Sequence, residues 1–286
     1  MPRWLAPVLS LIIAAAVLVA FVLYQSGTPQ SDGLRISRVA GAVSWEREGQ
    51  VEDAAVGTAL AAGDRVVTQP GASAVLSRGS NGTVHLGSDT RVRLLGMVDD
   101  VVELELELGQ VRAKLRPDAG ALRLSSRGRS LLAVDAELAA AVDEQGELAV
   151  EARRGAVVVD GVSGVSKVAA GERLLTFGDE ASVAGPAPAE MLLDVRWPGK
   201  VRVEAALLQG STAPGARVVL VGAQGVDPVR AGADGSFELR LPLSPGVNQV
   251  EVRAYDAFGD EIAVEGEVVR DMAGPRSRVE LNYGRK

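Results

Sequence analysis

A long uncharged apolar segment near the N-terminus constrains this chain more than any other feature. It runs from Trp4 to Tyr24 without an acidic or basic residue. As a helix it would extend for about 30 Å, which matches the hydrocarbon core of a bilayer. Trp4 and Tyr24 occupy its two ends, where amphipathic rings favour the membrane interface. The sequence therefore predicts an uncleaved transmembrane helix over residues 4–24.

The charges around this segment predict its orientation. Arg3 precedes it, whereas the next basic residue is Arg35 and Asp32 intervenes. The positive-inside bias then places residues 1–3 in the cytoplasm as a short stub and the rest of the chain outside it. We expect no cytoplasmic domain. The alternative is a signal peptide cleaved at the alanines 14–16, which would leave an exposed apolar stub.

The rest of the chain has the composition of a β-protein. It contains 33 glycines and only 3% aromatic residues, so we expect many tight turns and a core of Val, Leu and Ala. The absence of cysteine excludes disulfides, thiolate metal ligands and cysteine nucleophiles. A formal net charge of -7 provides no field that attracts nucleic acid, so we expect no nucleic-acid partner.

Alternation of apolar and polar residues predicts strands after a polar linker over residues 25–33. In Val101 to Leu108, leucines at 104, 106 and 108 alternate with glutamates, which separates a buried face from a solvated face. A cation site built on these glutamates is the less favoured interpretation. Asn81-Gly82 between apolar runs predicts a hairpin. The alanine-rich stretch 131–151 has helical propensity, but its turn at 144–147 favours two strands.

Two phrases recur in the same order and indicate a repeat. Gly41-Ala42-Val43 precedes residues 61–68, AAGDRVVT, and Gly155-Ala156-Val157 precedes residues 169–176, AAGERLLT. A third Gly-x-Val phrase begins at Gly109. Recurring strand–turn units predict stacked β-structure in which each unit buries a face on its neighbours.

A break over residues 179–191 separates a second block. Residues 192–270 contain short alternating strands separated by turns, which predicts a β-sandwich. The polar stretch 271–286 is predicted to be a flexible tail. The predicted fold class is therefore all-β behind a single transmembrane helix.

Residues 34 to about 176 resemble the FecR domain family of periplasmic β-domains. The matching phrases, in order, lie at 39–43, 62–68 with 70–71, 81–87, 108–113, 154–159 and 170–172. The sequence departs from the family at 134–138, VDAEL, where a Gly-Thr-x-Phe phrase is usual. The resemblance implies a FecR-like stacked β-domain over residues 34–178 and a single-pass protein of the bacterial inner membrane with a periplasmic body.

The best-known FecR-like proteins resemble transmembrane regulators that pass a signal from an outer-membrane receptor to a cytoplasmic sigma factor. Residues 1–3 supply no anti-sigma segment, so the resemblance implies fold and compartment but not sigma-factor control. The phrases at 210–216, 234–237 and 246–248 resemble bacterial immunoglobulin-like modules of extracytoplasmic proteins. That resemblance implies an immunoglobulin-like β-sandwich over residues 192–270, of a kind that usually serves as a spacer or adhesive unit.

Residues that could carry chemistry are sparse. His85 is the only histidine, and it falls in a strand without a nucleophile elbow. Turn aspartates at 234 and at 256–260 could bind calcium, but capping of their own backbone is favoured. The basic residues between Arg112 and Arg129 could meet an anionic polymer or lipid headgroup, although a solvated face is favoured. We predict no catalytic, cofactor-binding or metal-binding residues, and no cofactor.

These observations favour a binding or scaffold protein over an enzyme. The expected partner is an envelope protein or a cell-wall polymer, bound for example by strand addition at an open sheet edge, with the membrane held by the N-terminal helix. The first alternative is a transmembrane signalling component without a cytoplasmic anti-sigma segment, acting through the helix, in which Ala14, Ala15 and Ala16 allow close packing. A carboxylate-dependent glycan hydrolase is the less favoured second alternative.

Overall fold

The computed structural model describes residues 33–79, 82–163, 167–177, 181–223 and 225–272. The predicted transmembrane helix over residues 4–24, the stub before it and the tail after residue 272 lie outside these ranges. Within them every regular element is a β-strand, so no described helix is long and apolar enough to cross a membrane. The all-β prediction is confirmed for the described residues.

Sixteen strands form a larger unit, and eight more form a smaller unit. The strands of the larger unit are β1 Arg35–Ala40, β2 Val43–Arg47, β3 Gln50–Asp53, β4 Arg65–Thr68, β5 Ser73–Arg78, β6 Gly82–Leu86, β7 Thr90–Val98, β8 Val101–Leu115, β9 Ala121–Ser126, β10 Arg129–Val134, β11 Glu137–Val142, β12 Leu148–Arg154, β13 Ala156–Asp160, β14 Lys167–Ala169, β15 Glu172–Phe177 and β16 Ala181–Pro186. The strands of the smaller unit are β17 Leu193–Arg196, β18 Lys200–Val201, β19 Ala205–Thr212, β20 Arg217–Leu220, β21 Val229–Arg230, β22 Ser236–Pro242, β23 Gly246–Tyr255 and β24 Glu261–Arg270.

The larger unit consists of two layers that share strand β8. The first layer has the order β1-β5-β6-β8-β11-β12-β15-β16, and the second has the order β3-β2-β4-β7-β8-β9-β10-β13-β14. Neighbours are antiparallel except β8 and β9, which are parallel. Buried Val, Leu, Ile and Ala side chains from both layers form one continuous core. This core has the aliphatic composition that the sequence predicts.

Strand β8 passes from one layer to the other at Gly109. Its first half pairs with β7 and β9, and its second half pairs with β6 and β11. Gly109 has a φ of 90°, and a Cβ there would collide with Thr90. Only glycine therefore allows this bend without strain.

The bend also corrects one detail of the predicted strand. Leu104 and Leu106 are fully buried as predicted, but Leu108 is only half-buried. Arg91 lies opposite Leu108 while Val92 lies opposite Leu106, so β8 contains one extra residue at this point. Such a β-bulge interrupts the alternation of faces, which is why Leu108 leaves the core.

The recurring Gly-x-Val phrase has the same conformation each time. Its glycine has a positive φ, and its valine, two residues later, is buried; the three pairs are Gly41 and Val43, Gly109 and Val111, and Gly155 and Val157. Each glycine thus turns the chain so that a strand places its valine in the core.

The second recurring phrase also forms the same turn in both places. Asp64 accepts a hydrogen bond from the backbone N–H of Ala61, and Glu172 accepts one from that of Ala169, each at 2.8 Å. The acidic residue caps the N–H three positions before it. Strand β4 begins at the residue after Asp64, and β15 begins at Glu172 itself. The repeat therefore encodes a capped turn.

Two local predictions meet different outcomes. The hairpin is confirmed, since β5 and β6 pair antiparallel with Arg78 opposite Gly82, but Gly82 is the first residue of β6 and Asn81 lies outside the described residues. The stretch 131–151 is strand as predicted, but it includes parts of three strands rather than two. Asp135, at a φ of 43°, makes the additional turn between β10 and β11.

The smaller unit consists of two sheets around a separate core. One sheet has the order β17-β19-β22, and the other has the order β18-β24-β23-β20-β21, in which β18 and β24 are parallel. The segment predicted as a linker, 179–191, contains strand β16, which pairs with β15. Its Pro186 is compatible with a strand because β16 lies at the edge of its layer, where the missing N–H is not needed.

Candidate interaction surface

The acidic face predicted for β8 is matched by arginines on neighbouring strands. Glu103 pairs with Arg123 on β9 at 3.7 Å, and Glu105 pairs with Arg93 on β7 at 3.8 Å. The same Arg93 approaches Glu107 at 2.7 Å. These ion pairs lie on the outer, partly exposed face of the second layer, where each contributes little to stability. The glutamate row is thus charge-compensated by side chains of this chain.

A shallow depression of 210 Å³ lies at the end of this charged face. Arg65 bridges Glu46 at 2.8 Å and Glu107 at 3.1 Å across it. The depression is lined by Glu46, Glu48, Gly49, Gly63, Arg65 and Arg93. Charges of both signs neutralise one another here, so this is not the deep acidic cleft that a carboxylate-dependent hydrolase would need.

The same outer face carries an apolar area at its other end. We name it the apolar strip; it comprises Val98, Val101, Ala121, Leu132, Val134, Ala156, Val158 and Ala169. The exposed fraction is 60% for Val98, 55% for Val134 and 44% for Val158. These are high values for valines on a sheet that also has a buried face. The strip is therefore solvent-accessible apolar surface rather than core.

The strand register makes the strip continuous. Val98 lies opposite Val101, Val101 opposite Ala121, and Ala121 opposite Val134. Ala133 lies opposite Val157, so the next position of the row on β13 is Ala156, which lies opposite Ala169 on β14. Directly opposite residues share a face and have neighbouring Cβ atoms. The row therefore crosses six strands without a polar side chain.

Charged residues border the strip. In the adjacent row, Arg123 lies opposite Leu132, and Lys167 lies opposite Val158. Arg154 pairs with Asp135 at 2.6 Å beyond the β10 end. An apolar centre with a charged border is the usual arrangement of a protein-binding surface.

A second apolar contact joins the two units, and we name it the junction. Phe258 of the smaller unit, only 2% exposed, packs against Ala139, Ala141, Ala149 and Leu175 on the outer face of the first layer. Strand β11 is consequently buried on both faces, which explains its unbroken apolar run. Small alanines allow the phenylalanine ring to approach the sheet closely.

An arginine at the centre of the junction connects both units. Arg173 donates to Glu151 at 2.6 Å within the larger unit and to Asp256 at 3.2 Å in the smaller unit. Its guanidinium lies 4.6 Å from the centroid of the Phe258 ring. Burial raises the pKa of Glu151, but hydrogen bonding and charge from Arg173 and Arg153 outweigh it and hold the pKa below its usual value.

Two further arginines support the junction at its margin. Arg112 donates to the carbonyl of Phe258 at 3.2 Å. Arg230 of the smaller unit pairs with Asp143 and lies over the ring of Phe177. The contact between units thus combines a buried aromatic anchor with several ion pairs, as interface hot spots do.

The lone histidine lies opposite Arg112, at the margin of the junction. His85 lies on β6 with its side chain exposed. Partial burial, followed by the nearby charges of Arg38 and Arg112, lowers its pKa. The charged neighbours that shift its pKa are cationic, and no carboxylate of the described residues hydrogen-bonds to it as a catalytic triad would require.

The turn aspartates cap their own backbone. Asp234 accepts from the N–H and the hydroxyl of Ser236. Asp256 accepts from the N–H groups of Phe258 and Asp260, in addition to pairing with Arg173. Across the described ranges, no group of three or more His, Cys, Asp or Glu residues could hold a metal ion.

The basic stretch does not form one patch. Arg112 is used at the junction, and Lys114 pairs with Glu137 at 3.5 Å. Arg127 and Arg129 donate to backbone carbonyls of residues 144–146. The cations are distributed over separate internal contacts, so they do not converge on an anionic ligand.

Residues of the apolar strip and the junction were not predicted as functional. Their sequence signal is an apolar run that does not alternate, such as Leu131 to Val134 and Ala156 to Val159. Such runs indicate strands with two apolar faces, but they do not tell which face meets solvent.

The buried cap at Asp64 gives a pH-dependent expectation. Burial raises the pKa of Asp64, but hydrogen bonds from Arg47 and from the Ala61 N–H outweigh it and lower the pKa. Because its pKa is lower in the folded state, charged Asp64 stabilises the fold at pH values above its unfolded pKa of about 3.9. This contribution is lost as the pH falls through the folded pKa. Asp64→Asn should therefore destabilise by about 2 kcal/mol at pH 7, with the difference shrinking below pH 4.

Urea unfolding at a series of pH values measures this effect. Asp53→Asn, at an exposed position on β3, is the matched control and should leave the unfolding curve unchanged. A cost for Asp64→Asn that stays the same from pH 7 to pH 2 would show that the charge does not matter.

Comparison with known proteins gives weak likenesses. No protein-family model matches the sequence, and the search of curated proteins finds no relative. Two crystal structures of a "putative anti-sigma factor" from Parabacteroides distasonis are similar over 44% of this chain and 60% of theirs, at 19% and 18% identity and a TM-score of 0.39. A polysaccharide lyase is similar over 84% of this chain and 40% of its own, at 8% identity and a TM-score of 0.22.

The chain thus spans less than two thirds of each of these neighbours. At these scores neither likeness assigns a fold or a function.

Proposed function

We propose that this chain is a membrane-anchored, FecR-like protein of the bacterial envelope that binds another envelope protein and acts as a scaffold. The anchor is residues 4–24, with residues 1–3 cytoplasmic and both β-units periplasmic. The phrases that resemble the FecR family form capped turns and buried strand positions in the larger unit, which supports this assignment. The smaller unit serves as an immunoglobulin-like spacer.

The topology of the smaller unit supports the spacer assignment. Its first two strands belong to different sheets. Strand β17 pairs with β19 in one sheet, and β18 pairs in parallel with the last strand, β24, in the other. Two small sheets around one core, with the first and last strands adjacent, resemble an immunoglobulin-like sandwich. Modules of this kind hold other domains apart or adhere to partners.

The apolar strip is the observation that carries the proposed binding function. A row of solvent-accessible apolar side chains across six strands is costly to leave in water, and such patches mark protein-binding surfaces. The strip has no aromatic ring on which a sugar could stack, so a protein partner is favoured over a cell-wall polymer. No catalytic residue is part of this proposal, and the chain is proposed not to be an enzyme.

Site-specific photo-cross-linking tests this function. A photoreactive residue at Val134 in the full chain, within native membranes, should give one adduct of defined mass with an envelope protein. Val158→Asp places a charge on the strip and should reduce that adduct roughly ten-fold, which corresponds to about 1.4 kcal/mol. Both sites are exposed, so stability should change by no more than about 0.5 kcal/mol.

A photoreactive residue at Leu207, exposed on the smaller unit, is the matched control and should give no such adduct. Adducts with glycan strands instead would assign the strip to a cell-wall polymer. An adduct from Val134 that Val158→Asp leaves undiminished would overturn binding through the strip.

A signalling component is the second candidate function. The junction favours it, because the contacts of Phe258 and Arg173 hold the two units together and would pass a displacement of one unit to the other. In that case the anchor helix must contact a specific membrane partner. Replacing residues 4–24 with an unrelated transmembrane helix would then abolish activity in the cell, whereas a scaffold would keep it.

A further inference from the structure

Among the described residues, most of one edge of strand β24 has no partner strand. The backbone N–H groups of Val269 and Asp271 donate away from β23, to Gly199 and Val201. Backbone N–H and C=O groups point alternately to the two sides of a strand. Those of the preceding odd-numbered residues therefore also point away from β23. These residues are Glu261, Ala263, Glu265 and Glu267.

Only a short strand pairs with this edge in the described part of the chain, and β17, which pairs in the other sheet, runs close to β24. Strand β18 pairs with Val269 and Arg270 and then ends. No described strand pairs with residues 261–267 on that side. Edges of this length are usually shielded, because unpaired N–H and C=O groups accept a further strand.

The side chains along the edge define what it would accept. Ile262 and Val264 are half-buried at the margin of the core, and Trp197 lies next to Gly266 on the same face. The other face presents exposed glutamates at 261, 265 and 267. A complementary strand would therefore alternate apolar residues with cationic ones.

Residues 276–282 of this chain, RSRVELN, have that pattern. Arg276 and Arg278 alternate with Ser277 and Val279, and Leu281 follows two residues after Val279. In one antiparallel register, Arg276 lies opposite Glu267, Arg278 opposite Glu265, Val279 opposite Val264, and Leu281 opposite Ile262. Both arginines then face glutamates and both apolar residues face apolar ones, whereas Glu280 departs from the pattern, since it lies opposite Ala263 and diagonal to Glu261 and Glu265.

The reach of the chain determines whose segment can bind. Arg276 is four residue steps after Met272, which span at most about 14 Å. Glu267 lies five residues before Met272, about 17 Å away along the strand, and β18 occupies the edge between them. A chain therefore cannot place its own segment in this register, but a second copy can.

We propose that residues 276–282 of one chain add as an antiparallel strand to the free edge of β24 in a second copy. Reciprocal exchange of the two segments closes a two-fold dimer. Main-chain hydrogen bonds supply affinity, and the alternating side chains set the register. This self-association does not depend on the function proposed above.

Disulfide trapping tests the proposal, because the native chain contains no cysteine. Position 280 would lie opposite position 263, at a distance that a disulfide spans. The full chain with Ala263→Cys is mixed in detergent with the full chain carrying Glu280→Cys and is oxidised. We expect a yield of mixed disulfide at least ten-fold higher than from the control mixture of Arg240→Cys and Glu280→Cys chains. Arg240 suits the control because it is exposed on the opposite sheet.

Charge exchange provides the second readout. Glu265→Arg with Glu267→Arg should weaken the dimer roughly ten-fold by light scattering, and so should Arg276→Glu with Arg278→Glu. Combining all four should restore the dimer. A mixed disulfide no more abundant than the control overturns the proposal, and so does a chain carrying both cysteines that cross-links only within itself.

Discussion

Replacing Phe258 with alanine is expected to separate the smaller unit from the larger one while both remain folded. Phe258 is almost fully buried, yet it belongs to neither main core and contacts Ala139, Ala149 and Leu175 instead. Truncating a buried phenylalanine costs about 3–5 kcal/mol. That cost falls on the contact between the units, because each unit keeps its own core.

Spin labels measure the separation. Cysteines substituted at Lys114 and Gln249, both exposed and in different units, are the only labelling sites in a chain without native cysteine. Electron–electron distances should form a narrow distribution in the parent chain and a broad one in the Phe258→Ala variant.

Leu207→Ala provides the matched control for this measurement. Leu207 is exposed on the smaller unit, so its truncation should leave the distance distribution narrow. If Phe258→Ala also left it narrow, the aromatic anchor would not be what holds the units together.

The predictable part of the fold rests on alternation and turn chemistry. The run from Val101 to Leu108 has one apolar and one acidic face, and a strand is the only element that separates them. The recurring glycines predict turns because their positive φ suits no other residue well. Local patterns of this kind are sufficient for the strands, but not for their partners.

The repeat shows where prediction ends. Asp64 and Glu172 cap the same turn, and each precedes an arginine, Arg65 or Arg173. Arg65 then pairs within the outer face of its own layer, whereas Arg173 also crosses to the smaller unit. The sequence phrase encodes the turn, while distant strands decide what the arginine meets.

The apolar strip could not be predicted because its strands look like those of the junction in the sequence. Strands β11 and β13 each contain an unbroken apolar run. The outer face of β11 is covered by Phe258, while that of β13 is open and leaves Val158 exposed. Only the position of the smaller unit distinguishes the two, and that position depends on contacts between residues more than 80 apart.

Removing the charge of Arg173 is expected to destabilise the junction strongly and in a pH-dependent manner. Arg173→Met keeps an apolar stem but leaves Glu151 and Asp256, both largely buried, without their shared cation. Removing one partner of a buried ion pair costs about 3–5 kcal/mol, because an uncompensated charge remains. Arg153→Met, at a half-exposed partner of the same Glu151, is the control and should cost less than about 1 kcal/mol.

The pH dependence follows from Glu151. In the parent chain the pKa of Glu151 is lowered, so the charged carboxylate stabilises the folded state at pH values above its unfolded pKa of about 4.3. This contribution is lost as the pH falls through the folded pKa. Without Arg173, only Arg153 opposes the effect of burial, so the pKa of Glu151 rises from its value in the parent chain. The variant therefore loses stability at neutral pH and loses less as the pH falls.

The stability difference between parent and variant should be largest at pH 7 and smaller at pH 4, as measured by urea unfolding. Adding Glu151→Gln should recover part of the loss at pH 7. A difference that is equal at both pH values would show that Arg173 acts through packing rather than through charge.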